Sequence, residues 1–291
     1  MKCVVVTGVS TGIGRASAKL LASRGFHVFG SVRREADGHD LARELGSAFT
    51  PLVFDVTDEA AVTKAAGQVR AKLGGSTLAG LVNNAGMAVP GPILEVAPTN
   101  FRRQLDVNVM GPIIVTQAFA PLLGADRALT GPPGRIVMMS SVAGKRGDPF
   151  MGAYVASKHA LEGLSESLRR ELMLYGIDVI VIGPGVVRTP IWAKAEETDY
   201  ASNVASPYFS ALQKARELTA TMEKTGLPPE KVAALVHKVL TIPSPKVRYA
   251  IVPDRIEAWA STMLPKRIID KITAYMLGIS RLERAADTPR S

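Results

Sequence analysis

"CVVVTGVSTGIGRASAKLLASRG", residues 3–25, is the stretch on which the fold class turns. CVVVT (3–7) is a short apolar run with no polar alternation, the pattern of a strand covered on both faces. TGVSTGIG (7–14) places glycines at 8, 12 and 14, and GRASAKLLASRG (14–25) continues at helical spacing. A strand that breaks on glycines and re-enters as a helix can bring its backbone close to an anion. Glycine permits the tight turn, and the first helical N–H groups have no partner of their own. An ordinary glycine turn would look the same, and the spacing is G-x-x-x-G-x-G rather than the G-x-G-x-x-G of the dinucleotide fingerprint. From this stretch alone both readings stand.

The same strand-then-helix unit recurs along the chain. HVFGSV (27–32), FTPLVFD (49–55), LAGLVNN (78–84), GRIVMMS (134–140) and IDVIVIG (177–183) are further short apolar runs rich in β-branched residues, and VRYAIV (247–252) adds one more. Helical stretches such as DEAAVTKAAGQVRAKLG (58–74) and VASKHALEGLSESLRRELMLYG (155–176) separate them. Continuous apolar strands alternating with helices predict a doubly wound parallel sheet, an α/β Rossmann-like domain over residues 1–255 with a helical extension over 256–291. The polar, turn-rich GADRALTGPPG (124–134) reads as a surface loop before the fifth strand.

Composition narrows the function classes. The 291 residues, 47% of them hydrophobic, suffice for one large core. A net charge of +9 hints at an anionic partner, yet no Lys/Arg run exceeds two, which argues against a nucleic-acid arm. Cys3 is the only cysteine, so no internal disulfide forms, which fits a reducing, cytoplasmic setting. The four histidines show no metal-ligand spacing, and no metal is expected. VNVMGPIIVTQAFAPLLGA (107–125) is uncharged and long enough to span a bilayer. Its Asn108, Gly111, Pro112, Thr116, Gln117 and Pro121 favour a helix buried against the sheet instead.

YVASK (154–158) sets Tyr154 one helical turn from Lys158, on the same face. The pair alone is common by accident. Taken in order, TGVSTGIG, NNAG (83–86), the serine in MMSSVAG (138–144), YVASK and GPGVVRTP (183–190) resemble the short-chain dehydrogenase/reductase family over roughly residues 3 to 190. The resemblance implies that Tyr154 is the catalytic acid/base, Lys158 its neighbour, Ser141 the donor to the substrate oxygen, and Asn108 the fourth member, holding a water. A free tyrosine titrates near 10, too high for efficient proton transfer at neutral pH. A cation one turn away and a positive nicotinamide both favour the phenolate.

For the cofactor the resemblance implies contacts from Gly8, Ser10, Thr11, Gly12, Ile13 and Gly14 at the first turn. Asp55 and Val56 would meet the adenine, and Asn84, Ala85 and Gly86 would line the ribose side together with Tyr154 and Lys158. Pro184, Gly185, Val187 and Thr189 would hold the nicotinamide. Asp55 serves equally well as a turn acid before VTDEAAV. GSVRRE (30–35) ends the second strand with Val32 where NAD-preferring members carry an acid, followed by Arg33 and Arg34. Without that carboxylate a 2′-phosphate meets no repulsion, and a guanidinium suits it, so NADP(H) is expected in preference to NAD(H).

The expected reaction is hydride transfer between nicotinamide and a bulky hydrophobic secondary alcohol or ketone of steroid, retinoid or terpene type. Residues 190–228 stand where the family places its variable substrate lid, and Trp192, Tyr208, Phe209, Leu212 and Met222 there, with Met87, Val142 and Met151, suggest an apolar pocket. The runner-up is a 3-oxoacyl thioester substrate. A non-catalytic NADP(H) sensor is the rival of another class, and it would not need the full tetrad. A homo-dimer or homo-tetramer is expected. Pro265 and Gly278 bracket a tail helix whose Leu264, Ile268, Ile272, Tyr275, Met276 and Ile279 form one stripe. That helix would pack on the body or a partner subunit, border the substrate mouth, or touch a membrane surface through its apolar stripe and basic flank.

Overall fold

The computed structural model describes residues 2–191, 204–252 and 264–279; Trp192 and part of the expected lid lie outside them. Seven strands form one parallel sheet: β1 Lys2–Val6, β2 Phe26–Val32, β3 Phe49–Val53, β4 Gly80–Asn83, β5 Arg135–Met139, β6 Asp178–Pro184 and β7 Arg248–Ile251. Their order across the sheet is β3-β2-β1-β4-β5-β6-β7. All seven residues of β2 are buried, which is why the strands read as unbroken apolar runs.

Helices cover both faces. They are α1 Gly12–Ser23, α2 Ala36–Leu45, α3 Glu59–Leu73, α4 Pro98–Leu105, α5 Gly111–Phe119, α6 Gly152–Glu171, α7 Phe209–Thr225, α8 Pro229–Thr241 and α9 Lys266–Leu277. One core layer packs Phe29, Leu81, Ile136 and Met138 beneath Val69, Val115, Phe119 and Leu161. The other packs Val4, Val28, Val137 and Ile180 beneath Leu21, Val232, Val236 and Val239. Local signals set the helix ends. The Asp58 carboxylate accepts the Ala61 N–H at 3.0 Å to start α3, and Gly74, with φ 57°, ends it.

The apolar run around residue 110 is part of a continuous helical stretch, Pro98–Leu123, long and apolar enough by length and composition to cross a membrane. Its inner side lies on the sheet, with Gln104, Asn108, Gly111, Val115, Thr116 and Phe119 buried. Gly111 allows this approach, since a Cβ there would stand 2.6 Å from Val56 Cγ2. α9 begins after Pro265 and ends at Gly278, and it packs on α7. Ile268, Ile272, Tyr275 and Met276 on its stripe remain exposed.

The strand order reverses direction at β1 and β4, and the carboxyl ends of those strands open the crevice where ligands bind in such sheets. TGVSTGIG and NNAG sit at these two ends.

Candidate active site

The first turn is built around Thr7, which is fully buried. Its hydroxyl donates to Val82 O and accepts the N–H groups of Asn84 and Ala85, both at 2.9 Å, tying β1 to β4. The Asn84 side chain donates back to Thr7 O at 2.8 Å and Gly8 O at 3.3 Å, so it holds the turn from the other side. Gly8 and Gly12 take φ values of +70° and +58°, open to glycine at little cost. A Cβ on Gly12 would touch Thr189 Cγ2 at 3.0 Å, which places the loop after β6 against this turn. Gly14 has no room for a side chain: a Cβ would stand 2.1 Å from Gly8 O and 2.6 Å from Asn84 Nδ2. Thr11 precedes α1 without capping it through its side chain, and the first turn holds no acid. The N–H groups at Gly12, Ile13 and Gly14 are thereby left for an anion, beside Ser10.

At the end of β2, Val32 is buried and Ser31 Oγ accepts the Gly8 N–H at 3.0 Å. Arg34 is committed to Asp37, at 2.8 and 3.1 Å. Arg33 is exposed and has no hydrogen bond or ion pair among the described residues. Sequence reasoning offered both arginines; the structure separates them. Asp55 Oδ1 accepts from the Thr57 N–H and hydroxyl, the turn role that the sequence left open, while Val56 is buried against Gly111.

The four expected catalytic residues converge. Ser141 follows β5, and its hydroxyl hydrogen-bonds that of Tyr154, near the start of α6. Ser141 Oγ also accepts the Ala143 N–H at 3.1 Å and lies 3.4 Å from Pro184 O. Lys158 is buried, its Nζ donating to Met139 O at 2.8 Å and standing 5.6 Å from the centre of the Tyr154 ring. Burial lowers Lys158 to about 8, against the pull of Glu162, which acts to keep it charged. Burial raises the Tyr154 phenol above its ordinary value; the Ser141 hydroxyl works against the rise and Asp148 adds to it. At the phenol, burial therefore outweighs the Ser141 hydroxyl, and the protein by itself holds Tyr154 in its protonated form.

Asn108 lies in a single π-helical turn, Asp106–Met110, between α4 and α5, a distortion that is frequent at functional sites. Its side chain accepts the Met87 N–H at 2.9 Å and donates to Met87 O at 3.0 Å and Ser157 Oγ at 3.1 Å. Ser157 in turn donates to Tyr154 O at 2.7 Å. Asn108 thus bonds across to the loop after NNAG and to α6, and not to its own helix. One turn earlier, buried Gln104 holds the same loop through Val89 N and Met87 O. Gly86 leaves the space, a Cβ there lying 3.3 Å from Asn108 Oδ1.

Pro184 and Gly185 end β6, and the Gly185 N–H donates to Ile251 O at 2.8 Å. Val187 is buried beside Leu227. Of the expected pocket residues, the Tyr208 ring meets Phe150 edge-on at 6.0 Å, Leu212 is buried, and Met222 is exposed. Phe150, four residues ahead of Tyr154, has φ +62°, a strained backbone for a bulky side chain. Sequence reasoning missed Ser31, Gln104, Ser157, Glu162 and Arg248 as parts of this region. The available signals were spacing: Gln104 stands four before Asn108, and Glu162 four after Lys158.

The family model described as short chain dehydrogenase matches residues 2–200. The chain belongs to the short-chain dehydrogenase/reductase family. It is 39% identical over 280 residues to the NADPH-dependent 3-dehydrocapnine reductase of Ornithobacterium rhinotracheale, covering 94% of this chain and 96% of that one. It is 33% identical over 292 residues to human retinol dehydrogenase 5, covering 94% and 88% of the two chains. Among solved structures, a short-chain dehydrogenase/reductase from Burkholderia phymatum in complex with NAD aligns with a TM-score of 0.76 at 28% identity, covering 93% and 95%.

The glycine turn, the uncapped start of α1 and unpaired Arg33 together fit a dinucleotide with an added phosphate. Among the described residues no group of three His, Cys, Asp or Glu side chains stands together as a metal site. Gly14→Ala tests the turn. The added methyl meets a carbonyl and an amide that are fixed on both sides, so we expect a stability loss of about 2–3 kcal/mol, roughly 3–5 °C in Tm, with weakened dinucleotide binding. A thermal melt unchanged from wild type would show that the turn is looser than described.

Proposed function

We propose that this short-chain dehydrogenase/reductase transfers a hydride between NADP(H) and a hydrophobic secondary alcohol or ketone of steroid, retinoid or terpene type. The observation that carries the reading is the Tyr154–Ser141 hydroxyl pair with the buried Lys158 ammonium beside it. When bound, the nicotinamide supplies or accepts the hydride. In the reducing direction the carbonyl oxygen gains negative charge; Ser141 donates a hydrogen bond to it and Tyr154 delivers the proton. Lys158 holds a positive charge under the tyrosine ring, anchored on Met139 O, and offsets charge left on the phenol oxygen. Asn108 and Ser157 fix the first turn of α6 against the Met87 loop, so that Tyr154 is presented at a constant distance.

The cofactor reading rests on Val32, on unpaired Arg33 and on the relative named as NADPH-dependent. The substrate reading rests on the apolar side chains of Tyr208, Phe209 and Leu212 and on the relative named as a retinol dehydrogenase. The family supports assembly as a homo-dimer or homo-tetramer, and the single cysteine is compatible with a cytoplasmic location. The exposed stripe of α9, flanked by Lys266, Arg267 and Lys271, suits peripheral contact with an anionic membrane, where lipophilic substrates dissolve. Pelleting with anionic vesicles that persists after truncation at Met263 would rule α9 out of that role.

Arg33→Ala tests the cofactor choice. A charge-assisted contact to a 2′-phosphate contributes about 1.5–3 kcal/mol, so KM for NADPH should rise roughly 10–100-fold while that for NADH stays within about twofold. Equal losses for both cofactors would overturn the assignment of Arg33.

A further inference from the structure

Glu162 is a buried carboxylate with no part in the proton transfer just described. It stands one turn beyond Lys158 on the same face of α6, its side chain 6% exposed. Arg248 of β7 grips it with Nε at 3.1 and 2.9 Å from its two oxygens, and Lys145 Nζ lies 3.3 Å away. The backbone is shaped around this pair. A Cβ on Gly144 would stand 2.9 Å from Glu162 Cγ and 3.1 Å from Lys158 O, so the turn that begins at Ser141 is seated on the Lys158–Glu162 turn of the helix. A Cβ on Gly183 would stand 2.7 Å from Arg248 Nη2 and 3.2 Å from Ser141 O. Arg248 therefore passes beneath the Ser141 backbone to reach Glu162, its Nη2 3.5 Å from Ser141 O.

We propose that Glu162, clamped by Arg248, is a positioning residue that keeps the buried Lys158 protonated and seats the Ser141 turn against α6. The inference rests on the reading of Tyr154, Ser141 and Lys158 as the catalytic group.

The charges around Lys158 explain why a carboxylate is needed. Besides Glu162, its own helix offers Tyr154; the segment after Ser141 offers Lys145 and Asp148; β7 offers Arg248. From α4 and the π-helical turn the buried groups are uncharged Gln104 and Asn108, while Arg102, Arg103 and Asp106 are exposed. β5 presents a carbonyl, Met139 O. Asp148 is paired with Arg146 at 3.1 Å, so without Glu162 the cations Lys145, Arg248 and Lys158 would lose the carboxylate they share. Glu162 itself stays ionised: burial works to raise its carboxyl, but Arg248, Ser140 and Lys145 outweigh it and hold it below the ordinary value. Lys158, at about 8, has little margin before it loses its proton.

The test is Glu162→Gln, which keeps the shape and removes the charge, read in two ways. Heteronuclear NMR of labelled lysine follows the Lys158 titration with no substrate present, and the pH profile of kcat follows its consequence. We expect the titration and the alkaline limb of kcat both to move acidward by on the order of one pH unit. Glu162→Asp, which withdraws the charge by one methylene and is the milder change for folding, should move both the same way by a smaller step. A merely structural role would lower kcat by one factor at every pH and leave the titration in place. An unmoved titration in either folded variant overturns the proposal even if the enzyme turns over normally. A shifted titration in a protein that reduces no carbonyl would uphold the electrostatics and sink the catalytic reading instead.

Discussion

Tyr154→Phe lowers kcat about 10³-fold or more, with KM for NADPH changed by less than about threefold. General acid/base groups contribute roughly 10²–10⁴-fold, and the substitution removes only the hydroxyl that meets Ser141. Phe fills the same space on α6, so the fold and the dinucleotide crevice are kept. A loss confined to kcat marks an interaction made only in the transition state. Robust turnover in this variant would mean that another group supplies the proton.

Lys158→Met separates charge from packing. We expect kcat to fall about 10²-fold or more and cofactor binding to weaken, because the variant removes the buried cation and, on the family resemblance, a ribose contact. Stability should respond in the opposite sense with pH. Lys158 titrates at about 8 in the folded protein against 10.5 ordinarily, so between those values the unfolded chain binds the extra proton. The cost of burying the ammonium is therefore fully present below pH 8 and is relieved as pH rises toward 10.5. Relative to Lys158→Met, wild type should gain on the order of 3 kcal/mol of stability across that window. Over the same window wild-type turnover should fall, as the ammonium is lost. Denaturant titrations of both proteins at pH 7 and pH 10 check the sign, and a flat difference would place Lys158 in contact with water.

The parallel sheet was legible because each strand is buried on both faces and so reads as an uninterrupted apolar run. Its topology followed from the strand–helix alternation, with strand ends misplaced by one or two residues. The convergence of Asn108, Ser141, Tyr154 and Lys158 was visible only as a set of motifs in order, not as geometry. What the sequence could not show was where the side-chain bonds go. Arg33 and Arg34 look alike until Asp37 claims one of them. Asn84 is expected on the ribose side from the resemblance alone, and nothing in NNAG announces that its Nδ2 donates to Thr7 O and Gly8 O. Asn108 reads as a poor helix former, and from its π-helical turn its side chain bonds to Met87, 21 residues away. Glu162 resembles any exposed helix acid until Arg248, 86 residues further on, arrives in the adjacent strand. Long-range partners of this kind leave no local periodicity to read.

The proposed reaction passes hydride between a nicotinamide and a carbonyl carbon under the Tyr154 hydroxyl. It is tested most directly by incubating the protein with NADPH deuterated at its transferable position and a panel of hydrophobic ketones, and examining the products by mass spectrometry. We expect an alcohol carrying one deuterium on its carbinol carbon from wild type, and none above background from Tyr154→Phe. Label that stays on a bound nicotinamide with every ketone, or that transfers equally well in the Phe variant, would contradict it.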